Sequence, residues 1–146
     1  MKHLEFKLQR QVSDYLNINY PDVYFDCDFA SHLKLTENQQ RRNKQIQCKR
    51  FKRPDLIIYE PNKTNIGLAI ELKKETPFKK NGELKSQKVK IYKNILGVKT
   101  LVEEYCHLQE QAKSLLGMRK KGYYACFSWE FEQCKKIIDN YMNNSL

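Results

Sequence analysis

The amino-acid sequence predicts an α/β fold in which helices flank a mixed β-sheet, with elements in the order α-β-α-β-β-α-β-α. Three observations lead to this expectation. Apolar residues recur at helical spacing in separate segments, runs typical of strands lie between these segments, and two of the runs flank one turn. The 146 residues show no linker and suit one domain, 1–146.

The first part of the chain predicts a helix, a strand and a second helix. Apolar residues every three or four positions predict an amphipathic helix over 4–18. Apolar and polar residues alternate over 23–29, which predicts a half-buried strand. The sequence TENQ at 36–39 has the form of a capping box, so we expect a polar, basic helix from there to about residue 50.

The middle of the chain predicts a β-hairpin and then a segment without a clear period. The apolar runs 55–59 and 67–72 are separated by the turn-forming sequence PNKTN and are expected to pair. Residues 74–100 are rich in lysine and only weakly periodic. We expect a long loop or a poorly ordered helical excursion there.

The last third predicts a helix, a strand and a helix. Leu108, Ala112, Leu115 and Leu116 form the apolar stripe of a helix over about 103–121, which Gly122 is expected to end. The run 123–127 then predicts a strand, and Ser128 is expected to cap the final helix. That helix has an apolar stripe of Phe131, Cys134, Ile137, Ile138 and Tyr141.

The composition points to a polyanionic partner. The formal net charge is +10, which favours nucleic acid or an acidic membrane surface as a partner. No run approaches the roughly 20 apolar residues that cross a bilayer, and the N-terminus lacks the apolar run of a signal peptide. We therefore expect a cytoplasmic protein without a membrane partner. The five scattered cysteines contain no CxxC pair and predict neither a disulfide framework nor a structural zinc site.

Charged residues at the predicted hairpin suggest chemistry. Glu71 and Lys73 are two apart on a strand and share one face, whereas Leu72 points to the core. Asp55, at the start of the first strand, can lie beside Glu71. Two carboxylates with the backbone carbonyl of Leu72 would form an oxygen-rich site for a hard divalent cation such as Mg²⁺. The alternative is a solvated charged pair at a strand end, which is the usual meaning of an isolated ExK.

The arrangement resembles a known nuclease signature. Pro54-Asp55, a hairpin and Glu71-Leu72-Lys73 together look like the PD-(D/E)xK motif. The flanking elements resemble the VRR-NUC branch of that superfamily, with an acid on the first helix, Glu5, and a glutamine, Gln111, eleven residues before a glycine that opens a strand. The last helix also resembles the ending of this family. The resemblance implies a restriction-endonuclease-like core.

The resemblance also implies roles and a cofactor. Asp55, Glu71 and the Leu72 carbonyl would bind Mg²⁺ or Mn²⁺, and Lys73 would position the attacking water. Glu5 would reach the metal through water or act as a further acid, and Gln111 would orient the site. The alternative for Glu5 is an acid without a catalytic role, which the helix dipole favours in the first turn of a helix. The alternative for Gln111 is a surface glutamine at the edge of the apolar stripe of its helix.

Two basic insertions, at about 30–53 and 76–107, depart from the compact family pattern. The first leads directly into Pro54 and contains no acid between residues 39 and 53. It would deliver positive charge where a DNA backbone approaches, although a solvated helix face is the alternative. Its candidate nucleic-acid-binding residues are Arg41, Arg42, Lys44, Lys49, Arg50, Lys52 and Arg53.

The sequence therefore predicts a metal-dependent DNA endonuclease. Family analogy extends this prediction to structure-specific cleavage of branched DNA or Holliday junctions. A junction resolvase cuts two strands symmetrically, which would imply a homodimer. The alternative is a non-catalytic basic nucleic-acid-binding protein. A ribosome- or membrane-associated protein is a third possibility, which no aromatic platform or amphipathic basic helix supports.

Overall fold

A computed structural model describes residues 3–28 and 33–146, without the side chain of His3. Over these residues four helices and six strands are connected by turns and by longer segments such as 47–55 and 73–87. The elements are α1 (His3–Asn19), β1 (Phe25–Cys27), α2 (Glu37–Ile46), β2 (Leu56–Ile58), β3 (Gly67–Leu72), β4 (Lys88–Ile95), β5 (Val98–Cys106), α3 (His107–Lys120), β6 (Tyr123–Ser128) and α4 (Phe131–Met142). Within the described ranges, no helix has both the length and the apolar character needed to cross a membrane.

The main sheet is mixed. Its strand order is β1-β2-β3-β6, with antiparallel pairing of β1 with β2 and of β2 with β3, and parallel pairing of β3 with β6. Strands β4 and β5 form a separate antiparallel hairpin. The predicted α/β fold with a mixed sheet flanked by helices is confirmed.

Helices cover both faces of the main sheet. On one face, α1 and α4 pack through Val12, Leu16 and Ile138 onto Ile58 and Ile70. The opposite face of the sheet packs against α3, through a smaller cluster of Ile57, Ala69, Leu115, Met118 and Ala125. All six residues of β3 are buried, because this strand is central and covered on both sides.

The prediction of a loop or helical excursion over 74–100 holds only in part. Residues 74–87 form a loop between β3 and β4, but the β4–β5 hairpin begins at residue 88 and was not predicted. Helix α3 starts at His107 rather than at about 103 because β5 continues to Cys106. Alternation is present near the base of the hairpin, where Val89 and Ile91 are half-buried between exposed lysines. A register shift between Ile91 and Tyr92 interrupts this period, which is why the lysine-rich sequence reads as irregular.

Several predicted element ends are confirmed. Thr36 caps α2 in a complete capping box with Gln39. Gly122 follows the end of α3 with φ of +98°, a backbone conformation that glycine adopts without a steric penalty. The amide of Gly122 donates to the carbonyl of Arg119.

Other predicted ends are wrong. The basic helix ends at Ile46 rather than near residue 50, and the first strand covers Phe25–Cys27, while position 29 of the predicted strand lies outside the described residues. Ser128 ends β6 instead of capping α4. Its hydroxyl donates to Gln133, whose side-chain oxygen also accepts from the amide of Trp129 and so closes the start of the helix. Leu116, predicted in the inward stripe of α3, is exposed.

Candidate active site

The strand register places two carboxylates opposite each other at one end of the main sheet. Leu56 pairs with Ile70, so continuing the register by one residue sets Asp55 across from Glu71. Leu72 is buried with α1 and α4, and Glu71 therefore points to the other face, towards α3. Oδ2 of Asp55 accepts a hydrogen bond of 2.8 Å from the amide of Leu72, which joins the two strands at this end.

Glu71 is the most enclosed of the acids at this end of the sheet. Its residue is only 4% exposed. Oε1 lies 3.1 Å from Nζ of Lys73 and also accepts a hydrogen bond from Nε2 of Gln111 on α3. The structure therefore brings together four residues singled out in the sequence, with Asp55 across the strand pair, Lys73 two residues along and Gln111 from the covering helix.

Burial controls the electrostatics of the carboxylate pair. The pKa of Glu71 is raised to about 8, first by removal from solvent and second by the charge on Asp55, while Lys73 opposes the shift. Burial also raises the pKa of Asp55, against the lowering effects of the Leu72 amide and of Lys73. Glu5 and Asp28 add to the rise at Asp55. The site concentrates more negative charge than its own lysine compensates.

Gln111 contributes an acceptor that has no partner. Its side chain is buried, and Oε1 makes no hydrogen bond within the described part of the chain. A buried polar atom without a partner is costly and uncommon. A hydrated cation bound between the carboxylates would provide donors for it, so the orphaned atom fits a site built for such a group.

The donor set is small. Among the described residues, no group of three or more His, Cys, Asp and Glu side chains is arranged to hold a metal ion. A cation at this end of the sheet would depend on the carboxylates of Asp55 and Glu71 and on oxygen from the main chain. The amide of Leu72 points towards Asp55. In an extended strand the carbonyl of the same residue points to the same side, so the Leu72 carbonyl stays a predicted ligand.

Gln9 and Asp28 support the site and were not predicted from the sequence. The side-chain amide of Gln9, buried on α1, donates to the carbonyls of Asp28 at 3.3 Å and Asp55 at 3.2 Å. The amide of Asp28 donates to the same Asp55 carbonyl at 2.9 Å. The sequence does indicate that Gln9 faces inward. Gln9 lies three residues before Val12 and seven before Leu16, which places it on the same face of the helix.

The carboxylate pair opens into a cleft of about 1480 Å³. Glu5 is exposed and lines this cleft, at the side of Asp55. Tyr105 and His107 line it from the end of β5 and the start of α3, and neither was predicted as a site residue. Burial, together with the charges of Lys52 and Lys73, lowers the pKa of His107 and favours its neutral form.

Only part of the predicted basic patch faces the cleft. Lys44, Lys49, Lys52 and Arg53 line it, whereas Arg41, Arg42 and Arg50 are exposed outside this lining. Lys52 lies over the ring of Tyr105, with Nζ 5.0 Å from its centroid, and 4.0 Å from Glu110. Arg53 is paired with Asp26. Within this predicted patch, Lys44 and Lys49 are therefore the residues best placed to meet an anionic ligand.

Comparison of the chain with protein-family models, with curated proteins and with solved structures finds no match in any of the three.

Proposed function

We propose that this protein is a metal-dependent DNA endonuclease, similar to the VRR-NUC branch of the PD-(D/E)xK nucleases and built on a restriction-endonuclease-like core. One observation carries the proposal. Asp55 and Glu71 face each other at the ends of adjacent strands, and Lys73 contacts Glu71 beside a cleft with basic walls. A protein that only bound nucleic acid would gain nothing from buried carboxylates facing phosphate.

The pair of carboxylates fits Mg²⁺ or Mn²⁺. Hard divalent cations prefer carboxylate and carbonyl oxygens, which Asp55, Glu71 and the main chain at Leu72 would provide. Burial raises the pKa of both acids, and the charge on Asp55 adds to the rise at Glu71, so the pair is poorly compensated by protein groups alone. When bound, the cation would supply charge neutralisation at the scissile phosphate and activation of water.

The side chains around the pair would position the reactants. In hydrolysis, a water oxygen bonds to phosphorus, the ester bond to one sugar oxygen breaks, and that oxygen takes up a proton. Lys73, fixed against Glu71, would hold the attacking water or a phosphate oxygen. Gln111 would keep the Glu71 carboxylate in place, and Glu5 on the cleft wall would act through water.

The cleft suits recognition by phosphate and shape. Lys44 and Lys49 would contact the DNA backbone without reading its bases. The substrate in this proposal is duplex or branched DNA, and a symmetric junction would call for a homodimer.

Cleavage assays on linear duplex, flap and four-way junction DNA test the proposal. We expect cleavage with Mg²⁺ or Mn²⁺ and none in EDTA. Glu71→Gln should cut at least about a hundredfold more slowly than wild type and still bind DNA. Glu104→Gln, which changes an exposed acid on β5, is the matched control and should cut at the wild-type rate. A Glu71→Gln protein as fast as wild type would contradict the site, and binding without any cleavage would indicate a non-catalytic binder.

A further inference from the structure

The β4–β5 hairpin carries a feature that the proposed catalytic site does not use. Its base contributes Ile91, Glu103 and Tyr105 to the cleft wall. Beyond the register shift at Ile91 and Tyr92, its outer half is exposed, apart from the half-buried Thr100. This outer half, residues 92–101, is defined here as the hairpin tip.

Leu96 lies at the turn of the hairpin tip in a backbone conformation that is unfavourable for leucine. Leu96 and Gly97 connect the paired residues Ile95 and Val98, with φ of +50° and +80°. Positive φ at both central residues is the mark of a type I′ turn, in which asparagine or glycine is strongly preferred at the first position. Leucine there carries backbone strain, and its residue is also 98% exposed. Neither folding nor solubility explains a leucine at this position.

The surroundings of Leu96 indicate the chemistry of its partner. Ile95 and Val98 extend the apolar surface on either side. No acid lies between residues 92 and 101, while Lys93 and Lys99 flank the turn. The ring of Tyr92 lies 4.8 Å from Nζ of Lys99. An apolar point between two cations matches a nucleic acid, in which apolar base faces lie between phosphates.

A second copy of this chain fits the hairpin tip less well than a nucleic acid does. The formal net charge of +10 and the lysines on each tip would bring like charges together in such a contact. A nucleic acid bound in the cleft, by contrast, would lie beside the base of the hairpin, which lines the cleft wall. From Ile91 to Leu96 an extended strand covers roughly 17 Å, which is about the length of five base steps at ~3.4 Å each.

We propose that the hairpin tip is a DNA-binding element that inserts Leu96 between bases, while Lys93 and Lys99 contact the adjoining phosphates. This inference rests on the proposed function for the identity of its partner. Insertion opens a base step, and a step that is already mispaired costs less to open. The tip therefore favours duplexes that contain such a step.

Binding in EDTA tests this inference without cleavage. The probes are a labelled 20-base-pair duplex and the same duplex with a central mismatch flanked by 2-aminopurine. Wild type should bind the mismatched duplex about tenfold more tightly, with a rise in 2-aminopurine fluorescence as the base unstacks. Leu96→Asn should lose both the preference and the fluorescence change. Because Asn-Gly is the favoured type I′ pair, the same variant should melt at the wild-type temperature or above, which separates a binding role from a structural one.

Two further variants serve as controls. Leu96→Met keeps an apolar tip and should retain the mismatch preference. Leu116→Asn removes an exposed leucine from α3, outside the cleft lining, and should bind as wild type does. Leu96→Asn with unchanged affinity and fluorescence would overturn the inference, as would wild type that binds neither duplex. A wild-type dimer that Leu96→Asn dissociates while it keeps the mismatch preference would assign the tip to self-association and also overturn it.

The same experiment distinguishes this inference from the proposed function. Mismatch preference that depends on Leu96, without cleavage of any DNA in Mg²⁺ or Mn²⁺, would refute the nuclease and support the hairpin tip. Metal-dependent cleavage with no effect of Leu96→Asn on binding would support the nuclease and refute the role of the hairpin tip.

Discussion

At the scale of single residues, Glu71 connects every part of the candidate site. Its position was predictable, because period two puts Glu71 and Lys73 on one face and the hairpin sets Asp55 opposite. Gln111 was identified through the family resemblance, and it is buried on α3 rather than exposed at the edge of the apolar stripe. The contacts of Gln9 were not predictable, since its partners are main-chain carbonyls that reach it only when α1 packs beside the strand ends.

Gln111 offers a residue-scale prediction in which activity and stability change in opposite directions. Gln111→Met keeps the volume of the side chain, removes the hydrogen bond to Glu71 and removes the unpaired acceptor. Cleavage should slow by about ten- to a hundredfold, as for other groups that orient a metal ligand. The free energy of unfolding in EDTA should stay the same or rise by about 1 kcal/mol.

Single-turnover cleavage and urea unfolding measure the two effects. Gln109→Met changes an exposed glutamine on the same helix and should leave both quantities unchanged. A Gln111→Met protein that cuts normally would show that this amide does not position Glu71.

At the scale of elements, the two basic insertions differ in how well the sequence describes them. Helix α2 was predictable because the capping box TENQ is a local signal. The β4–β5 hairpin was not, because its turn is Leu-Gly instead of Asn-Gly and its register shift breaks the alternation of β4. Pairing between the two neighbouring strands overrides their weak local propensity here.

The structure divides the charges around α2 into two groups with different expected effects on DNA binding. Lys44 and Lys49 line the cleft, whereas Arg41 and Arg42, also exposed, lie outside it. The double variant Lys44→Ala/Lys49→Ala should flatten the dependence of log affinity on log salt by about 0.9 for each phosphate that the protein no longer neutralises. Titrations at several salt concentrations measure this slope.

The double variant Arg41→Ala/Arg42→Ala is the matched control, because it also removes two charges from the same segment. It should change the slope much less. Equal slopes for the two double variants would mean that the cleft lysines have no special role and that only the overall charge matters.

At the scale of the whole molecule, the fold stabilises an unfavourable site. The two apolar clusters hold the sheet between helices α1 and α4 on one face and helix α3 on the other. This packing keeps Glu71 out of solvent beside Asp55. The tertiary arrangement was predictable only in outline, because the alternation of helices and strands indicates layers but leaves strand order open. The parallel pairing of β3 with β6, for example, depends on the path of the chain through β4, β5 and α3.

Burial of Glu71 predicts how the stability of the metal-free protein depends on pH. The pKa of this carboxyl rises from an ordinary 4.5 to about 8 in the folded state. Between these two pH values the folded protein binds more protons than the unfolded chain. The Glu71 carboxyl therefore contributes to stability at low pH, and this contribution is lost as the pH rises through about 8. Urea unfolding in EDTA at pH 5, 6.5 and 8 should show this loss for wild type.

Glu71→Gln cannot ionise at this position and should lose less stability over the same range. Glu104→Gln, at an exposed ion pair with Lys88 and Lys90, should keep the wild-type dependence. If Glu71→Gln and wild type lose stability in parallel, the buried carboxyl does not titrate as described.

The central claim is that Asp55 and Glu71 together hold a divalent cation, and Mn²⁺ binding tests it most directly because no substrate has to be known. The protein is titrated with Mn²⁺, and the electron paramagnetic resonance signal of the free ion is recorded at each step. Wild type should show a binding site. Asp55→Asn and Glu71→Gln should each weaken that site at least about tenfold, whereas Lys73→Ala should retain it, since Lys73 contacts Glu71 without being a ligand. Glu71→Gln with wild-type affinity for Mn²⁺, or wild type without a site, would contradict the account.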